Sequence, residues 1–271
     1  MHFWTRFSLP VLAVLVATAQ AQDANTIEGG GFSAQVSYWL TSSEPLLRGG
    51  KQNSSPTGYS PNFDLPGKGK AALAAMVSLP AGKENSLRIS AFRAQGTGNT
   101  TATENLALFA TGYNTGDYLA AAYKIENVKV SWDYLSYTYA ASGLRVKTLW
   151  EAQLTSVHSR VDAPFKEIVT DSSGNSNFNI AEGTKNVILP SFGLGLEQAP
   201  SKAFRWEARA SGFGLPGRSY VWNAEAAAVV RMGKFELLGG GRAFSVKTSV
   251  KDDAYYKQTL YGPYVGLRFY P

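Results

Sequence analysis

Hydrophobic and polar residues alternate along most of this chain with a period of two, and short clusters of turn residues interrupt the alternation. In 203–213, AFRWEARASGF, Phe204, Trp206, Ala208 and Ala210 fall on one face, and Arg205, Glu207 and Arg209 on the other. In 219–231, Tyr220, Trp222, Ala224, Ala226, Ala228 and Val230 oppose Asn223 and Glu225. In 144–156, Leu144, Val146, Trp150, Ala152 and Leu154 oppose Arg145, Lys147, Glu151 and Gln153. Val128, Val130, Trp132 and Tyr134 oppose Lys129, Ser131 and Asp133, while Leu87, Ile89 and Ala91 oppose Ser86, Arg88 and Ser90. At the end of the chain Val265, Leu267 and Phe269 oppose Tyr264, Gly266 and Arg268. Successive side chains of a strand point to opposite faces, so the pattern predicts strands with two unlike sides.

The strands fall at about 30–41, 67–79, 84–95, 117–139, 143–158, 186–198, 202–213, 218–231, 234–248 and 256–270, ten in all. The segment 103–112 fits two readings. It extends the strand before it, or, with 117–139 broken near Glu126-Asn127, it adds a pair; the count therefore lies between eight and twelve, and is even. The Ala-rich NAEAAAVVR could form a helix between Gly217 and Gly233, but its alternation with Tyr220 and Trp222 favours strand. Short connections lie at 80–83, 140–143, 200–202 and 232–234. Long polar ones span 42–66 and 162–185, with a shorter tip at 249–256.

Alternation alone suits a sandwich in water or a barrel in lipid. The faces decide between them. Trp132, Trp150, Trp206 and Trp222 all lie on faces otherwise built of alanine, valine and leucine, as in an aromatic girdle at a bilayer interface. The opposite faces carry charges of both signs, Arg145, Lys147, Glu151, Arg205, Glu207, Arg209, Glu225, Glu236 and Arg242, which can pair across a narrow lumen. Short connections on one side and long ones on the other complete the asymmetry of an outer-membrane barrel. A closed barrel also pairs every backbone polar group that lipid cannot satisfy.

The N-terminus changes the picture by adding a destination. Arg6 precedes an apolar run from about Leu9 to Ala17, and Ala19-Gln20-Ala21 fits a cleavage site. That run is well short of the ~20 residues a spanning helix needs. Residues 1–21 are therefore expected to be a cleaved signal peptide, and 22–271 the barrel domain. Cleavage removes one arginine and no acid, so the net charge of +6 becomes +5. This mild basic balance, well mixed with acids, does not point to nucleic acid. With no cysteine, the chain has no disulfide scaffold, thiolate metal site or cysteine nucleophile.

The signal peptide, the alternating strands, the loop asymmetry and the ending LYGPYVGLRFYP together resemble the bacterial outer-membrane β-barrel proteins. The resemblance covers the whole mature chain and is one of pattern. It implies an all-β antiparallel transmembrane barrel with short periplasmic turns and longer outer loops. It also implies outer-membrane lipid and the barrel-assembly machinery as partners, the latter reading Val265, Leu267 and Phe269, although Tyr270 and Pro271 follow. The stretch 116–139 resembles small barrels of this class, which implies no activity.

Catalytic chemistry finds no constellation. His158, the one histidine after the signal, precedes Ser159, but strand neighbours point to opposite faces and cannot act as base and nucleophile. Asp252-Asp253 sit in an outer tip without a histidine-bearing motif. GFGLPGRS (212–219) mimics a phosphate loop, yet a strand rather than a helix follows, so a tight turn through Gly214, Pro216 and Gly217 is expected. Asp64, Asp162, Glu167 and Asp171 are loop acids without metal-ligand spacing, and no cofactor is implied. The sequence thus predicts a structural or narrow-lumen barrel with a charged interior. A small anion-leaning channel and a loop-mediated surface-binding protein are the alternatives.

Overall fold

A computed structural model describes residues 31–41, 71–82, 84–109, 111–167, 179–216, 218–249 and 255–271, together with the backbone of two short strands between 42 and 66. The expected signal peptide lies outside the described residues. In chain order the strands are β1 (Ser33–Trp39), β2 (Leu46–Arg48), β3 (Asn62–Asp64), β4 (Ala72–Pro80), β5 (Ser86–Thr101), β6 (Leu106–Leu108), β7 (Thr111–Tyr113), β8 (Tyr118–Tyr139), β9 (Leu144–Asp162), β10 (Ile180–Gln198), β11 (Phe204–Gly214), β12 (Tyr220–Met232), β13 (Phe235–Lys247) and β14 (Tyr255–Phe269).

Ten of these form the wall, in the order β1-β4-β5-β8-β9-β10-β11-β12-β13-β14, and β14 pairs back with β1 to close it. Every pairing is antiparallel, and Ala34↔Phe269 through Trp39↔Tyr264 seal the seam. Closure removes the edge strands that lipid would leave unpaired. β1 begins and β14 ends at the same rim as the short turns, which is the periplasmic rim of such barrels. Gly143 and Gly233 take positive φ in two of those turns (65° and 62°), where a side chain would be strained. At the outer rim β2 and β3 extend the sheet from β14.

One cause settles the two readings of 103–139 and corrects the expected layout beyond Asp162. The strand over 117–139 does not break at Glu126-Asn127; it runs as β8, with a bulge only between Leu135 and Tyr137. The segment 103–112 neither lengthens the wall nor joins it, but forms the separate hairpin β6–β7. The long loop expected at 162–185 is narrower, because β9 continues through Asp162 and β10 begins at Ile180. The cause is a reversal of polarity between the two faces. On β8, Lys124 and Glu126 point outward while Leu119, Ala121, Tyr123 and Ile125 are buried inside; from Val128 on, Val128, Val130 and Trp132 point outward while Asn127, Ser131 and Asp133 are buried. The same reversal crosses the neighbouring strands in register, from the row Ala91, Val128, Leu154, Ile188 to the row Arg93, Glu126, Ser156, Asn186. Below this line the exterior suits lipid. Above it the strands stand in water and need an apolar interior.

From Val128 down to Tyr137 near the periplasmic rim is roughly nine residues of tilted strand, or about 23 Å. That is close to the ~25 Å apolar band of outer-membrane barrels.

Candidate functional site: a sealed lumen

The inward residues of the periplasmic half form two charged layers. At the base, Arg205 Nη2 donates to Glu236 Oε2 at 2.7 Å, and Arg268 reaches Glu207 at 2.7 Å, Glu236 at 3.3 Å and Gln35 at 2.7 Å. Tyr270, just past the last wall strand, donates its hydroxyl to Glu236 at 3.1 Å. Lys147 and Glu197 form a separate pair at 2.7 Å.

The middle layer spans the lumen. Arg209 on β11 reaches across to Asp133 on β8, with Nη2 donating to Oδ1 at 2.9 Å and Nη1 to Oδ2. Ser131 adds a hydrogen bond to Asp133 at 2.5 Å. Glu151 takes Lys129 at 3.1 Å and accepts from Ser211 at 2.5 Å, and Arg242 binds Glu225 at 2.9 Å. Asp133 and Glu151 have no exposed side-chain surface. Such charges persist only because each is met by cations and donors. Arg242 also stacks 4.8 Å from the Tyr264 ring centre.

Of the residues expected to form a lumen network, Lys147, Glu151, Arg205, Glu207, Arg209, Glu225, Glu236 and Arg242 come together in these pairs. Arg145 does not: it sits at the periplasmic rim, opposite Glu197 in the β9–β10 register, without an ion pair among the described residues. Sequence reasoning missed Arg88, Lys129, Asp133, Glu197 and Arg268 as members. The signal for four of them was present, since Arg88, Lys129, Asp133 and Arg268 lie on the polar side of their strands' alternation.

The outer half is sealed differently. Edge-on contacts join Trp39 to Phe92 at 5.6 Å and Phe92 to Phe244 at 4.9 Å above the charges. Higher still, the β6–β7 hairpin folds into the mouth, burying Leu106, Leu108 and Tyr113 against the inner faces of the tall strands. Tyr113 donates its hydroxyl to the Val161 carbonyl at 2.9 Å, and Thr111 donates to the Ile180 carbonyl at 3.1 Å. Burial pushes the Tyr113 phenol above its ordinary pKa, so it stays a donor. The Phe109 ring lies directly over Gly183, where a Cβ would collide with it. Nothing in the alternation of the wall announced this plug, because the three-residue strands are too short to show a period.

His158 points outward, 2.9 Å from Thr184 Oγ1 and 3.6 Å from Glu182, whereas Ser159 points inward to the Tyr256 hydroxyl at 2.6 Å. Gly212 to Gly214 end β11, and beyond them Leu215 N donates to the Ser219 carbonyl at 2.8 Å on the way to β12. Asp162 belongs to β9, 3.6 Å from Arg160, rather than to a loop. Glu167 is exposed. The Asp64 side chain, Asp171, Asp252 and Asp253 lie outside the described residues.

On the exterior, Trp132 and Trp150 are cross-strand partners, and the same row continues through Phe192 and Gly212 to Trp222. Because the strands tilt, this row reaches Trp222 near the outer rim. Trp206 lies near the periplasmic rim, where its indole N–H donates to Gln198 at 3.0 Å. The tryptophans therefore occupy different heights. An aromatic belt at the periplasmic rim is made by Tyr137, Tyr139, Phe204, Phe235 and Phe269, all exposed. Val265 and Leu267 face outward beside Phe269, which packs 5.1 Å from Phe235.

A closed ten-stranded meander, apolar outside over the height of a bilayer and ion-paired within, is a transmembrane β-barrel of the bacterial outer-membrane type. Among solved structures the chain is similar to the outer membrane protease OmpT of Escherichia coli, with a TM-score of 0.56 and 10% identity over 91% of this chain and 99% of that one. Two others are Ail, the attachment invasion locus protein of Yersinia pestis (TM-score 0.32, 12% identity, 89% and 99% covered), and the transport unit of the Escherichia coli autotransporter AIDA-I (0.38, 10%, 92% and 93%). No family model and no curated protein matches the chain. At these identities the OmpT likeness concerns the fold.

Proposed function

We propose that the mature chain is a non-conducting outer-membrane barrel, a rigid pedestal whose lumen is filled rather than open. The observation that carries this reading is the double seal, ion pairs from Arg209 to Asp133 across the periplasmic half and the β6–β7 hairpin in the outer mouth. A ten-stranded barrel has little interior to spare, and paired charges of both signs offer no continuous anion path. In this reading residues 1–21 are removed on export. Val265, Leu267 and Phe269 carry the assembly signal, and the exposed aromatics rest in the lipid interface.

Refolding residues 22–271 in detergent and reconstituting them in planar bilayers tests the proposal. Heat-modifiable gel migration with a silent bilayer is expected; stable ohmic steps would overturn it in favour of the anion channel. A surface-binding role fits beside the closed lumen, favoured by one observation. Strands β5 and β8–β10 continue past the row Ala91, Val128, Leu154, Ile188 with charged outward faces, which lifts the outer loops clear of the lipid headgroups. Its test is whether deleting the segment 168–178 abolishes adhesion to host or matrix surfaces while leaving assembly intact.

A further inference from the structure

The two charged layers do not balance alike. At the base, Arg205, Arg268 and Lys147 face Glu207, Glu236 and Glu197, three cations against three carboxylates. In the middle layer four cations, Arg88, Lys129, Arg209 and Arg242, share only three carboxylates, Asp133, Glu151 and Glu225. Apolar aromatics lie above this layer and a neutral set of pairs below, so one positive charge is left over in the interior. Burying an uncompensated charge costs several kcal/mol.

Arg88 is the least committed of the four. Its single ion pair among the described residues runs from Nε to Asp133 Oδ2 at 3.4 Å, and that contact lacks hydrogen-bond geometry. Asn223 accepts from Lys129 through Oδ1 at 2.8 Å, but its buried Nδ2 has no partner. Arg88, Lys129, Asn223 and Arg242 all line one cavity of about 60 Å3, left open because Ser37 and Ala74 on the facing wall are small. The cavity, which Arg209 and Glu225 also line, mixes polar and apolar walls and has room for one small ion with a water or two.

We propose that this cavity binds a single small monovalent inorganic anion, chloride in practice, which neutralises the leftover charge beside Arg88, Lys129 and the amide of Asn223. The site is structural and lies inside the closed barrel, so it is separate from the question of conductance.

The test uses the mature chain refolded in detergent without halide, then melted in sodium chloride, sodium bromide or sodium gluconate at equal ionic strength. Chloride and bromide are expected to raise the melting midpoint by roughly 5 °C over a hundredfold range above their Kd, and bulky gluconate not at all. Arg88→Gln leaves three cations against three carboxylates and is expected to abolish the halide dependence while retaining the barrel. Bromide-soaked crystals should show an anomalous peak in the cavity. Equal midpoints in all three salts overturn the proposal. A halide shift undiminished in Arg88→Gln also overturns it. Should Arg88→Gln fail to fold, the wild-type salt series and the bromide peak still decide.

Discussion

Asp133 keeps a charge where no water reaches it because Arg209, Arg88 and Ser131 meet it from two sides of the lumen. Removing one partner leaves the other charge stranded, so Arg209→Ala is expected to lower stability by about 3–5 kcal/mol. The read-out is the midpoint of urea unfolding followed by gel mobility. The double change Arg209→Met with Asp133→Leu should recover much of that loss, since a packed apolar pair of similar volume carries no desolvation cost. At this scale the sequence was largely readable. Once one face was assigned to the lumen, parity alone placed Arg205, Glu207, Arg209, Glu225 and Glu236 inside. Parity does not say which charge meets which. The Arg209–Asp133 contact joins residues on strands that are not neighbours, and only closure of the barrel brings them together. Tyr270 shows the same limit: parity puts it on the lumen side with Arg268, but not against Glu236.

Among the elements, the sequence reads 117–139 as one strand, with a break near Glu126-Asn127 as the alternative that would add a pair. The reversal at that place is real, but it marks a change of solvent around an unbroken strand. The hairpin β6–β7 exists because the interior above that line needs apolar filling that the wall residues do not supply. Replacing residues 104–115 by a short Gly-Ser linker is expected to leave the barrel assembled and to lower its melting temperature. Planar bilayers should remain silent, because the charged layers still close the periplasmic half. A subtler change tests the docking itself. Gly183→Val puts a side chain where the Phe109 ring lies, so hydrogen exchange across 106–113 is expected to rise while the wall strands stay protected.

For the molecule as a whole, the outward faces define a lipid band with a definite upper limit on the tall strands. Ala226, exposed at mid-height on β12, belongs to the band, whereas Ser156 on β9 lies in the first polar row above it. Ala226→Arg is therefore expected to cost about 2–4 kcal/mol in folding into lipid vesicles, and Ser156→Arg close to nothing. Comparable losses at both positions would show that the band has been placed wrongly.

The sequence by itself determined the wall strands, an even count of about ten, the face most of them turn to lipid and the side on which the connections are short. All of these follow from the two-residue period of the backbone and from what each face must meet. Only the tertiary structure decided how the lumen is filled, because ion pairs across a barrel and a hairpin folded into its mouth depend on closure, tilt and register. Those bring together residues such as Asp133 and Arg209, or Phe109 and Gly183, that no local pattern connects.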